Sequence, residues 1–171
     1  MNSRCAPSVY ATDASLSRVG TPELLMMISL RLFALTWRDP SGGYPDWRGG
    51  FRAARIDKCA GPAFAALFHI VGGAALRPLD VRCTHCCLLG GDEAWLLQLV
   101  SVLQAKRKAE AAAILGGWLP PAAVRTTMLP AQDLAAALAR GGMILPRRHA
   151  EAAKMDHIGM AYADLSVTLV Q

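Results

Sequence analysis

The chain has 171 residues, of which 53% are apolar and 18% charged, with a net charge of +5. Its mean hydropathy is +0.28 and its pI about 9.2. That length suits one domain of ordinary size with a real core, and the apolar content excludes disorder over most of it. The basic balance is carried largely by arginines spread along the chain, and a mildly basic surface accounts for it better than a nucleic-acid partner, which is not expected.

Residues 1–20 are polar and Ser/Ala-rich, without the apolar run of a secretory signal, and read as a flexible N-terminal tail. Five cysteines, three of them crowded together, do not make a secreted disulfide framework, so a cytoplasmic, reducing setting is expected. Twelve of the fifteen glycines occur as Gly-Gly pairs, at 42–43, 49–50, 72–73, 90–91, 116–117 and 141–142. Glycine pairs weaken helices and open turns, and between them the chain shows helical periodicity and little strand alternation. The fold class expected is all-α: about five to seven short helices over residues 21–142, followed by a weakly ordered C-terminal extension at 143–171.

In chain order, Thr21-Pro22-Glu23 signals a helix start, with Thr21 as N-cap, and the helix runs to about Trp37. Leu24, Ile28, Leu32 and Leu35 form its apolar stripe, and Arg31 interrupts the run. A loop at 38–46 precedes a helix expected from Asp46 or Trp47 to about Cys59. Arg48, Arg52, Arg55 and Lys58 would share one face of that helix, either a basic stripe for nucleic acid or a solvated side. Residues 60–76 are apolar and contain Pro62 and His69. They are at the lower limit for a membrane span and read better as a buried core helix. Asp92 would cap the next helix, and 106–108 mark a turn or an exposed face. An Ala-rich helix then reaches Leu115, a further one runs from Pro121 to about Met128, and Pro130 starts another that ends at Gly141-Gly142. The chain closes on LSVTLVQ, which has strand propensity and no evident partner. His149 and His157, eight residues apart, could share a face of a polar helix there.

The chemistry is concentrated in Cys83-Thr84-His85-Cys86-Cys87. Cys83 and Cys86 have the Cys-x2-Cys spacing of half a structural zinc site, and the second pair is missing. Candidate metal ligands are therefore Cys83, Cys86, Cys87, Cys59 and His69, for zinc or an iron–sulfur cluster, although the spacing matches no standard cluster run. Cys5 lies in the tail. The same spacing suits a dithiol, with Arg82 alongside. The third reading is that three small side chains simply fill a turn between helices. Phosphate-loop, zinc-protease, nucleophile-elbow and dinucleotide motifs are absent, and no catalytic or cofactor-binding residue is assigned.

The order of an arginine-bearing helix, an apolar helix, Arg77-Pro78, the cysteine turn, Asp92-Glu93 and an Ala/Leu-rich C-terminal half resembles an uncharacterised family of small alphaproteobacterial helical proteins. It spans about residues 22–142. Members tend to have proline after the adjacent cysteines, where this chain has Leu88. The resemblance implies an all-α bacterial fold with the cysteine turn as a family feature, and no activity. The functional expectation is a small non-enzymatic regulatory or adaptor protein with an unknown protein partner. The alternatives are a metal-binding or thiol-redox protein and, more weakly, nucleic-acid binding through the arginine-bearing helix; a membrane partner is not expected.

Overall fold

A computed structural model describes residues 10–147. Six α-helices are present among them: α1 Thr21–Arg38, α2 Gly49–Ala53, α3 Ala60–Ala74, α4 Gly91–Gln104, α5 Lys108–Gly116 and α6 Pro121–Arg140. The all-α expectation holds, with no strand among the described residues.

Helix α4 is the axis of the core. Leu96, Leu97, Leu99, Val100, Val102 and Leu103 are all buried, so apolar residues surround it rather than forming a stripe. Helices α1, α5 and α6 pack against it, and α3 packs along α6. The apolar stretch at 60–76 is this α3, with Ala60, Phe64, Leu67 and Val71 at 0% exposure. No helix of the described residues is long and apolar enough to cross a membrane. Phe33 of α1 joins Phe64 and Phe68 of α3 to Trp47 in an aromatic cluster, with ring centroids 5.3–6.0 Å from Phe33.

Helix boundaries depart from the sequence reading where a glycine N-cap, a left-handed residue or a helical proline sets them. The N-cap of α1 is Gly20, not Thr21, and Glu23 reaches back to accept its N–H. Helix α4 likewise has Gly90 as N-cap, with Asp92 inside the first turn, because Glu93 supplies the acceptor for the Gly90 amide at 2.8 Å. The helix expected from Trp47 to Cys59 is only the five residues of α2. Arg55 takes φ 52°, and Ile56 N–H then donates to Phe51 O at 3.0 Å, which closes the helix end. The basic stripe is broken with it: Arg48 lies over the Trp47 ring and Arg52 pairs with Asp46. In the opposite direction, the two helices expected around Pro130 are one. Pro130 lies inside α6, and the carbonyl it leaves without an i+4 amide belongs to exposed Thr126.

The buried face of α1 is also not the expected one. Met26, Met27, Leu30 and Phe33 enter the core, while Leu24 and Ile28 are 37% and 46% exposed. At both ends the packed body is longer than 21–142. Tyr10, expected in a flexible tail, is 3% exposed, and residues 13–16 run antiparallel to 87–89. Leu145 is also buried, its amide donating to Gln104 Oε1 at 2.9 Å. Cys5, His149, His157 and the LSVTLVQ ending lie outside the described residues.

Candidate functional site: the cysteine turn

The segment from Arg77 to Gly90 has no regular structure, so its backbone must find partners elsewhere. They come from three sources. The first is Arg31, 2% exposed on α1, whose Nε and Nη2 donate to the two oxygens of fully buried Glu93 at 2.6 and 2.8 Å. Its Nη1 donates to Cys86 O at 2.6 Å and its Nη2 also to Leu88 O at 2.8 Å. The Glu93 hydrogen bond raises the Arg31 guanidinium above its ordinary range against the opposing cost of burial, and the Glu93 charge adds in the same direction.

The second source is the start of α4. Glu93 accepts the amides of Arg82 at 3.1 Å and Gly90 at 2.8 Å, so four donors converge on this one carboxylate. Asp92 takes Arg77 in a two-pronged pair at 2.6 and 2.7 Å, the Trp118 indole N–H at 2.7 Å and the Asp80 amide at 2.5 Å. Burial pushes the Asp92 carboxyl up, but these donors outweigh it and hold it below the usual aspartate range. The third source is the N-terminal strap: Leu16 N–H donates to Cys87 O, and Leu89 N–H to Ala14 O, at 2.9 and 3.0 Å.

With its backbone anchored this way, the turn presents its side chains outward. Cys86 N–H donates to Cys83 O at 3.1 Å, closing a β-turn over Thr84 and His85. Cys83 and Cys87 are exposed, Cys86 is half-buried, and all are free thiols. The Cys87 thiol points to His85 O at 3.9 Å. Thr84 Oγ1 and His85 Nδ1 are 3.3 Å apart.

The other two sequence candidates are placed on α3. Cys59 sits at its N-cap, exposed, where a hydrogen bond with the Asp57 carboxylate holds its thiol above the ordinary cysteine range. The ring of His69 meets Ala65 O at 2.6 Å through Nδ1 and lies edge-on to Trp37. Ten residues of helix separate the two by about 15 Å along the axis, so a mixed site drawing on both around one ion does not form. Among the described residues, no group of three or more His, Cys, Asp or Glu side chains is placed to hold a metal ion. The structure brings together Cys83 and Cys86 through their turn.

Sequence reasoning missed the Arg31–Glu93 and Arg77–Asp92 pairs. Arg31 within an apolar run was the available signal, since a charge at such a position demands a buried partner. The partner is 62 residues away and could not be named from spacing. Comparison with family models, curated proteins and solved structures finds no match for this chain.

Proposed function

We propose that this chain is a small non-enzymatic helical protein of the regulatory or adaptor type, and that its cysteine turn is the part that responds to its surroundings. One observation carries the reading: outward-facing thiols stand on a backbone bonded at once to α1, to the start of α4 and to the N-terminal strap. A chemical change at the thiols therefore acts on three separate parts of the fold, as a sensing element requires.

The test is retention of a partner protein from a lysate by the reduced chain and by the chain with its thiols alkylated. Stoichiometric retention by one form and not the other is the expected result. Equal retention by both forms, or none by either, would count against the regulatory reading.

A metal-binding reading draws on the Cys83–Cys86 turn, which supplies one Cys-x2-Cys half of a zinc or iron–sulfur site. Stoichiometric zinc or iron after anaerobic purification, lost in Cys83→Ser, would establish it in place of the first.

A further inference from the structure

We propose that Cys83 and Cys86 are a thiol-modification site, closing to a reversible intra-turn disulfide by exchange with a low-molecular-weight disulfide. The chemistry deepens the reading of the turn as a responsive element and depends on that reading only for its biological use.

The turn geometry selects the pair. A hydrogen-bonded β-turn holds its first and fourth Cα atoms less than about 7 Å apart, and a disulfide spans Cα separations of about 4.4–6.8 Å. Cys83 and Cys86 occupy those two turn positions, joined by the 3.1 Å bond between Cys86 N–H and Cys83 O. The competing neighbours Cys86 and Cys87 are one peptide apart, about 3.8 Å between Cα atoms, below that window. The Cys87 thiol is moreover turned to the His85 carbonyl. Cys59 lies on another element, at the start of α3.

Exposure sets the order of steps. Exposed Cys83, as thiolate, attacks one sulfur of the small disulfide RS–SR; that S–S bond breaks and RS⁻ leaves and takes up a proton. Half-buried Cys86 then loses its proton to solvent and attacks the Cys83 sulfur of the mixed disulfide, expelling the second RS⁻, which is also protonated. The protein dithiol is oxidised by two electrons, RS–SR is reduced to two RSH, and no other reactant is needed. Arg31 holds Cys86 O and Leu88 O in the reduced chain, so the backbone stands in the closing geometry before the sulfurs react.

The experiment uses the reduced full chain incubated with oxidised glutathione, then alkylation, digestion and peptide mass mapping. The expected product is a Cys83–Cys86 bridge, with Cys5, Cys59 and Cys87 alkylated and full reversal by dithiothreitol. Cys86→Ser should stop at a glutathione adduct on Cys83, and Cys87→Ser should form the bridge as the parent does, with far-UV circular dichroism confirming that both variants fold. A stable glutathione adduct on Cys83 of the parent chain, or a bridge between any other pair, would overturn the proposal. A bridge that forms without altering partner retention upholds this chemistry and sinks only the regulatory use.

Discussion

Arg31 donates four hydrogen bonds, to Glu93 and to the carbonyls of the cysteine turn, and neither it nor Glu93 meets solvent appreciably. A buried pair of this kind gains little over a well-packed apolar pair, but losing one member strands the other. Arg31→Met should therefore destabilise the fold by about 3–5 kcal/mol in urea titration. Adding Glu93→Leu should recover only the part due to the stranded carboxylate, because the Arg82 and Gly90 amides and the Cys86 and Leu88 carbonyls stay without these partners. A single variant as stable as the parent would show that the turn is held by something else. Asp92 makes a second, pH-dependent prediction. Its folded-state value lies below the unfolded reference of about 3.9, so the stability it contributes is present above about pH 4 and is lost as pH falls through the folded value. The stability difference between the parent and Asp92→Asn should shrink as pH is lowered from 6 toward 2. A difference constant across that range would contradict the linkage.

At the scale of elements, the helices are closed by tight backbone turns whose residues are not always suited to them. Lys106 ends α4 with φ 60°, with Arg107 N–H donating to Val102 O at 2.9 Å, the same closure that Gly142 gives α6 at φ 75°. A side chain in this left-handed region costs about 1–2 kcal/mol, and glycine avoids the cost while bringing more unfolded-state entropy. Lys106→Gly should thus leave stability equal or raise it by up to about 1 kcal/mol in thermal melts, and a clear loss would mean the lysine side chain holds a contact. Gly90 is the opposite case, required by space. A Cβ there would sit 2.6 Å from the Asp80 backbone oxygen and 3.2 Å from Arg82 Cγ, where the strap 77–82 crosses the start of α4. Gly90→Ala should cost about 1–3 kcal/mol through forced displacement, seen as a lower urea midpoint.

Over the whole molecule, the chain before α1 acts as a clasp on the cysteine segment. Tyr10 is buried and its hydroxyl donates to Pro146 O at 3.3 Å, so this strap also touches the stretch that follows α6. Removing residues 1–19 should strip the partners from Leu89 N–H, Cys87 O and Leu89 O together. Hydrogen exchange should show the Leu89 amide losing protection while amides in the middle of α4 keep theirs. Unchanged protection at Leu89 would mean the strap is not needed to order the turn.

The sequence by itself determined the helical class and the central apolar segments, and it located the one short run where cysteines are densest. These follow from 3.6-residue periodicity, from glycine pairs that cost helical stability locally, and from residue types dense in one short run; none needs knowledge of a distant contact. Tertiary structure alone decided which face of α1 is buried, because Leu24 and Ile28 are as apolar as Met26 and Leu30 and only the elements packed on that face distinguish them. It decided that Pro130 is carried inside one helix and that Arg55 ends another, both departures from local preference held by packing on either side. It also decided how the cysteine turn is built. A buried guanidinium needs a carboxylate whatever the spacing, and Glu93 becomes that partner only once α1 lies against α4, where the same two side chains then bind the backbone of the turn.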